Sequence, residues 1–214
     1  MKKYNKILAI LDRSGSMSSI IKDSIGGINS YIIQQRKSTT DVKMSVLLFD
    51  THHELHYENL DVQLLPCFTE HTYVPRGGTA LYDAIGLMIE EELDWLGQTP
   101  KEERPEKTLV VILTDGEENS SQHYSSAKIK EMITEMQEAY GWAFVFLAAD
   151  QDAFAAATNM GIYASNTLNW SSNSKTEGVT FAYNNMAAAT TNYFTSTDNQ
   201  NLINNAKSAV KQEA

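Results

Sequence analysis

The stretch Asn-Lys-Ile-Leu-Ala-Ile-Leu-Asp-Arg-Ser-Gly-Ser, residues 5–16, contains a nearly unbroken apolar run that stops at a polar turn. Such a run suits a strand buried on both faces of a parallel sheet, since a strand with one wet face would alternate apolar and polar residues. The segment that follows, from Met17 to about Gln35, has isoleucines and a tyrosine at spacings of three and four residues. This spacing predicts an amphipathic helix directly after the strand.

The rest of the chain repeats this alternation of strands and helices. Further strands are predicted at residues 42–49, 53–57, 107–113, 142–148 and 162–168, and further helices at 80–96, 125–139, 152–159 and 176–193. Apolar strands that alternate with helices indicate an α/β fold, here a three-layer, doubly wound and mostly parallel sheet with helices on both faces. We predict one domain over residues 1–194. A polar tail follows over 195–214, for which a frayed helix is one interpretation.

Composition and charge narrow the classes of partner. The chain has 214 residues and a formal net charge of -10, from 17 basic and 27 acidic residues. No cluster of Lys and Arg is evident, which argues against nucleic acid as a partner. No segment approaches the roughly 18 apolar residues of a membrane span. The single cysteine, Cys67, is expected to be a buried small hydrophobe, and a chain of this size without disulfides fits the cytoplasm.

Polar segments follow two of the apolar strands and precede one helix. They are residues 12–16, 114–117 and 76–79. In open α/β sheets, ligands bind in the crevice beyond the carboxyl ends of the strands. We therefore expect the three segments to surround one solvent-facing crevice. Asp50, Glu117 and Glu118 are expected in loops that flank it with negative charge.

The candidate side chains in these segments offer only oxygen atoms. They are Asp12, Ser14, Ser16, Thr79 and Asp115. Oxygen ligands suit a hard ion, Mg²⁺ or Mn²⁺ with Ca²⁺ as a further candidate, and not zinc or copper. The alternative for the first three residues is that they cap the helix that follows, because Asp and Ser are favoured at helix starts. Capping does not account for the threonine and the second aspartate.

The five positions, in this order, resemble the metal-ion-dependent adhesion site of von Willebrand factor A domains. The pattern is Asp-x-Ser-x-Ser at residues 12–16, a threonine after Gly77-Gly78, and Asp115 within Thr-Asp-Gly. The amino-acid sequence of several stretches is similar to that of the compact, stand-alone bacterial and phage members of the family. The resemblance covers roughly residues 5–190. The resemblance implies that the three hydroxyls contact the ion directly and that the two aspartates act mainly through water or hydrogen bonds. It also implies a partner protein whose Asp or Glu carboxylate completes the coordination.

The leading interpretation is therefore a metal-dependent protein-binding module without catalytic residues, bound to neither nucleic acid nor membrane. A phosphohydrolase is the main alternative, but its usual acid two positions after the first aspartate is here Ser14, which is not a general acid at neutral pH. A scaffold subunit beside a MoxR-type ATPase or tellurite-resistance-like stress proteins is a third possibility by family analogy alone. The histidines at 52, 53 and 56 invite a zinc hypothesis, yet a solvated edge strand is preferred because no fourth ligand is evident.

Overall fold

The computed structural model describes residues 3–38, 40–148, 153–169, 175–195 and residue 202. The strands are β1 (Asn5–Asp12), β2 (Val42–Phe49), β3 (His53–Asp61), β4 (Thr108–Thr114), β5 (Ala143–Ala148) and β6 (Thr167–Asn169). The helices are α1 (Ile21–Arg36), α2 (Leu81–Gln98), α3 (Ser126–Ala139), α4 (Ala153–Asn159) and α5 (Lys175–Thr195). Within these described ranges, no helix is long and apolar enough to cross a bilayer.

The six strands form one sheet in the order β3-β2-β1-β4-β5-β6. All neighbours are parallel except β2 and β3, which are antiparallel, so β3 forms an antiparallel edge. The predicted α/β fold, a mostly parallel sheet covered by helices, is confirmed. β1 and β4 lie side by side in the middle, and their carboxyl ends meet at the same edge of the sheet.

Both faces of the central strands are buried because helices cover both. Side chains alternate across a strand, and in β1 Ile7, Ala9 and Leu11 face the core that includes residues of α1 and α5. Leu8 and Ile10 face the opposite core, built with α2 and α3. This double burial explains why β1 is apolar along its whole length.

Several predicted element boundaries are wrong. The segment after β1 begins as a 3-10 segment, Gly15–Ile20, and the α-helix starts only at Ile21. β3 continues to Asp61, beyond its predicted end at 57, and β6 begins at Thr167 and not near 162. Most positions of β3 are exposed, as expected for an edge strand with one face in solvent. Its second half is mostly polar, so the sequence pattern does not predict a strand there.

Two other expectations concern the burial of Cys67 and the C-terminal tail. Cys67 is exposed and free, so its predicted burial is wrong. It lies in the loop after β3 between two side chains of contrasting burial: Pro66 is exposed and Phe68 is buried. A predicted tail over 195–214 falls outside the described residues, apart from Thr195 at the end of α5 and the buried Leu202.

Candidate functional site

Three loops meet at the carboxyl ends of β1 and β4. The first loop follows β1 and comprises residues 12–16. The second, residues 76–79, precedes α2, and the third, residues 114–121, follows β4. All five predicted site residues lie on these loops. Backbone bonds join the first two loops: Arg76 N–H donates to the carbonyl of Arg13 at 2.8 Å, and Gly15 N–H donates to that of Gly77 at 3.1 Å.

A chain of hydroxyl and carboxylate contacts links three of the five predicted ligands, and the hydroxyl of a fourth, Thr79, lies nearby. The hydroxyls of Ser14 and Ser16 are 3.0 Å apart, and Ser16 Oγ donates to Asp115 Oδ1 at 2.6 Å. A β-carbon at Gly116 would lie 3.3 Å from Thr79 Oγ1 and 3.6 Å from Ser16 Oγ. The glycine therefore leaves open the space between the serine and threonine hydroxyls.

Asp12 sits beneath this chain and is fully buried. Its Oδ1 accepts from Ser14 N–H at 2.6 Å, and its Oδ2 accepts from the Thr114 hydroxyl at 2.6 Å. The hydroxyl of buried Tyr73 donates to the backbone carbonyl of Asp12. The sequence predicts that Asp12 and Ser14 lie at a solvent-facing crevice. That prediction is wrong, because both are buried, and among the five predicted ligands only Ser16 is exposed.

The two carboxyl groups hold their protons more tightly than free aspartate does. Burial raises the pKa of Asp12 from 3.8 to about 6, although hydrogen bonds from Thr114 and Ser14 oppose the rise. Burial likewise raises the pKa of Asp115, against the hydrogen bond from Ser16. A cation placed between these carboxylates would favour their ionised forms by attraction.

The residues fit a hard divalent ion. Every donor is oxygen, and three hydroxyls and two carboxylates converge from three loops. Among the described residues, no three His, Cys, Asp or Glu side chains gather into a metal site, so an ion placed here would need the hydroxyls as ligands beside the two carboxylates. The capping alternative is not supported at Ser14, which precedes the 3-10 segment without a side-chain capping bond. The hydroxyls of Ser14 and Ser16 contact each other instead.

The charges beside the site differ from those expected. Asp50 is buried, and its Oδ2 accepts from Arg13 Nε at 3.0 Å and from Arg76 Nε at 2.9 Å. It therefore does not flank the crevice as free negative charge. Glu118 is half-buried and accepts bonds from three backbone amides and a hydroxyl. Glu117 alone of the three expected acidic residues is exposed.

Asp50 holds the first two loops together electrostatically. Burial by itself would raise its pKa, but hydrogen bonds from His52 N–H, Arg76 and Arg13 outweigh burial and lower it. The side chain of Arg13 is itself buried and makes a second ion pair with Glu54 at 2.8 Å. A charged Asp50 is thus favoured at neutral pH and links one arginine from each loop.

The residues that support the site have no sequence signal for that role. Tyr73, Asp50 and Asn119 each bond to a site loop from a distant point in the chain. No short motif marks them, because their partners are set by the folded arrangement and not by spacing. The histidines weighed as a zinc site have different surroundings. His52 is exposed and lies before β3, while His56 contacts Glu54 at 2.8 Å and stacks on Phe68.

Comparison with known proteins gives a match at the level of structure. No protein-family model matches the sequence, and no curated protein matches it. Among solved structures, the vWF domain of the type V pili tip protein Mfa5 from Porphyromonas gingivalis is similar with a TM-score of 0.61 at 12% identity. The similarity covers 87% of this chain and 95% of that one.

Two longer proteins contain the same fold. The von Willebrand factor type A protein from Catenulispora acidiphila gives a TM-score of 0.58 at 13% identity, covering 89% of this chain and 43% of that chain. Proximal thread matrix protein 1 from the mussel byssus gives 0.60 at 12% identity, covering 86% and 48%. Another structure of the mussel protein is described with a zinc-occupied metal-ion-dependent adhesion motif. The chain spans less than half the length of these first matches. It has the fold of the von Willebrand factor type A domain.

Proposed function

We propose that the chain is a divalent-metal-dependent protein-binding module without catalytic activity. Asp12, Ser14, Ser16, Thr79 and Asp115 would hold Mg²⁺ or Mn²⁺, with Ca²⁺ as a further candidate. The observation that supports this proposal is the continuous chain of oxygen atoms from Ser14 through Ser16 to Asp115, with the Thr79 hydroxyl across Gly116. Magnesium keeps several waters and needs few direct protein ligands, which suits such a set.

The proposed partner supplies an Asp or Glu carboxylate to the ion. Asp12 and Asp115 offset the charge of a divalent ion, but if they act through water or hydrogen bonds their charge is distant from it. The ion then keeps a strong field toward an open position. A carboxylate gains a direct ionic bond there, which a neutral or cationic side chain does not.

Proteins of related fold support the binding of a divalent metal but not the choice of magnesium. A similar structure is described with zinc in its metal-ion-dependent adhesion motif. Zinc therefore belongs in any comparison of ions, although the all-oxygen donors of this chain favour harder ions. Other similar structures are a pili tip protein and a thread matrix protein.

The competing functions have no observation of their own. A phosphohydrolase would need an acid where Ser14 stands, and that hydroxyl is buried beside Ser16. A scaffold role in an intracellular assembly uses the same protein-binding site and differs only in the partner. The cytoplasm remains our proposal for the compartment, and an exposed free thiol at Cys67 is compatible with reducing conditions.

The test uses the partner captured from the source cell in magnesium. Its affinity is measured in magnesium and in chelator, and again with each candidate Asp or Glu of the partner changed to its amide. We expect chelation and one amide substitution each to abolish binding. If binding survives chelation and every amide substitution, the metal bridge is wrong and the partner binds another face.

A further inference from the structure

Both backbone polar groups of Thr79 are held by Asn119 or its neighbour. The Thr79 N–H donates to Asn119 Oδ1 at 2.9 Å. In the other direction, the N–H groups of Asn119 and Ser120 donate to the Thr79 carbonyl at 3.0 and 3.2 Å. Asn119 and Ser120 thus bind both backbone polar groups of Thr79 across 40 positions of sequence, an arrangement named the bracket below.

Further bonds fix the same two loops to each other. Glu118 Oε2 accepts from Tyr82 N–H at 2.9 Å, and Ser121 Oγ accepts from Asp83 N–H at 3.0 Å. In return, the carboxylate of Asp83 accepts from the three successive N–H groups of residues 122–124. The start of α2 and the loop after β4 are therefore joined along their length, and Thr79 lies at the end nearest the oxygen cluster.

The bracket matters because the direction of a threonine hydroxyl follows its backbone. A β-branched side chain has few allowed rotamers, so fixing the backbone of Thr79 fixes where Oγ1 points. That oxygen faces Gly116, on the side where Ser16 Oγ also lies. A ligand held in place before the ion arrives costs less entropy to order on binding.

We propose that Asn119 is a positioning residue for the metal site, acting through Thr79 and without contacting the ion. This inference rests on the proposed function, since it assumes that Thr79 is a metal ligand. Asn119 is exposed, so its packing contributes little to the core. Its side-chain oxygen also accepts from the Ser120 hydroxyl at 2.6 Å, which holds the amide in the orientation that receives Thr79 N–H.

The control is an asparagine elsewhere whose side chain accepts from the backbone N–H of a distant residue, as Asn119 does, and also donates to that residue's carbonyl. Asn29 on α1 donates from Nδ2 to the Phe68 carbonyl at 2.9 Å and accepts from Phe68 N–H at 2.7 Å. Asn29→Ala removes two side-chain to backbone bonds outside the three site loops. It therefore reports the general cost of losing such bonds.

The experiment compares wild type with Asn119→Ala, Asn119→Asp and Asn29→Ala. Amide hydrogen exchange of Thr79 is measured in chelator, and Mg²⁺ and Mn²⁺ affinity is measured by calorimetry. For Asn119→Ala we expect about tenfold faster exchange of the Thr79 amide and about tenfold weaker metal binding, the factor that loss of roughly one hydrogen bond gives. Asn119→Asp keeps the acceptor oxygen and should restore both. Asn29→Ala should leave metal affinity within about twofold of wild type, since it alters none of the three loops.

The possible failures are distinct. If wild type binds neither ion, the proposed function fails, and the Thr79 exchange rate still reports whether Asn119 holds that amide. If wild type binds metal and Asn119→Ala binds it equally well, the positioning role is wrong. Equal losses of affinity in Asn119→Ala and Asn29→Ala would also overturn it, because both would then reflect stability alone.

Discussion

The hydroxyl of Ser16 donates a 2.6 Å hydrogen bond to Oδ1 of Asp115, a residue 99 positions further along the chain. This bond closes the contact between the loop after β1 and the loop after β4. Both oxygens belong to the proposed ligand set, and Ser16 is exposed. Ser16 is therefore the proposed ligand whose removal should disturb the fold least.

Ser16→Ala should remove most metal binding and leave the fold intact. The change removes exposed hydrogen bonds to Ser14 and Asp115, so the free energy of unfolding in chelator should fall by about 1 kcal/mol or less. The measurements are calorimetric titration with Mg²⁺ and circular dichroism. Ser18→Ala, at an exposed position in the same 3-10 segment, is the control and should bind as wild type does. Undiminished affinity in Ser16→Ala would remove this serine from the site.

Asp12→Ala should damage the fold as well as the site. The change leaves the buried Ser14 amide without its acceptor and takes the shorter acceptor from the Thr114 hydroxyl, which keeps the Gly116 carbonyl at 3.1 Å. An unsatisfied buried group costs about 1–3 kcal/mol, so we expect a loss of about 1–3 kcal/mol in chelator. Urea denaturation measures it. A loss below about 1 kcal/mol would show that water or a nearby group replaces the carboxylate.

Magnesium or manganese should raise the melting temperature. An ion that binds only the folded state stabilises it by about 2.7 kcal/mol at 100 times its dissociation constant. Differential scanning calorimetry with Mg²⁺, Mn²⁺, Ca²⁺ or Zn²⁺ at millimolar concentration, each reversed by chelator, gives the order of preference. No shift in wild type with any of these ions would count against the site. A shift of equal size in Ser16→Ala would place the ion elsewhere.

Metal affinity should rise with pH through about 6. Asp12 has a pKa of about 6 in the folded chain, above its ordinary 3.8. Between about pH 4 and 6 the folded state therefore binds more protons than the unfolded state, so raising pH over this window lowers the stability of the metal-free protein. A nearby ion would favour the ionised carboxylate, directly or through water, so protons would compete with the ion below this range. Calorimetry at about pH 5, 6 and 7.5 tests this, and Asp12→Asn should flatten the stability profile in chelator.

Asp50→Ala should destabilise the chain strongly, by about 3–5 kcal/mol, the cost typical of breaking a buried ion pair from one side. The buried Arg13 would keep only Glu54, whose side chain is 46% exposed. Chemical denaturation gives the size of the loss. Glu54→Ala removes the exposed partner of the same arginine and should cost less. Similar losses in both variants would mean that Asp50 has no special role in holding the loops.

The sequence predicts the strands and the position of the site, but not the burial of the residues within and around the site. Apolar runs such as that of β1 predict buried parallel strands, and the five proposed ligand positions fall where strands end or just before α2 begins. The burial of Asp12 was not predictable, because it depends on Thr114, whose approach across the sheet follows from strand order. Asp50 was likewise misplaced on the surface. Its two arginines lie 37 and 26 residues away, and no spacing rule connects them.

The place of the site at the ends of β1 and β4 also determines how the domain would respond to a mechanical load. These are the two central strands, and each is hydrogen-bonded to a parallel neighbour on both sides. Consider a pull on a ligand held by their loops that is directed along the strand axes. The ladders on either side then resist together in shear, whereas the same force on the edge strand β3 would meet a single ladder.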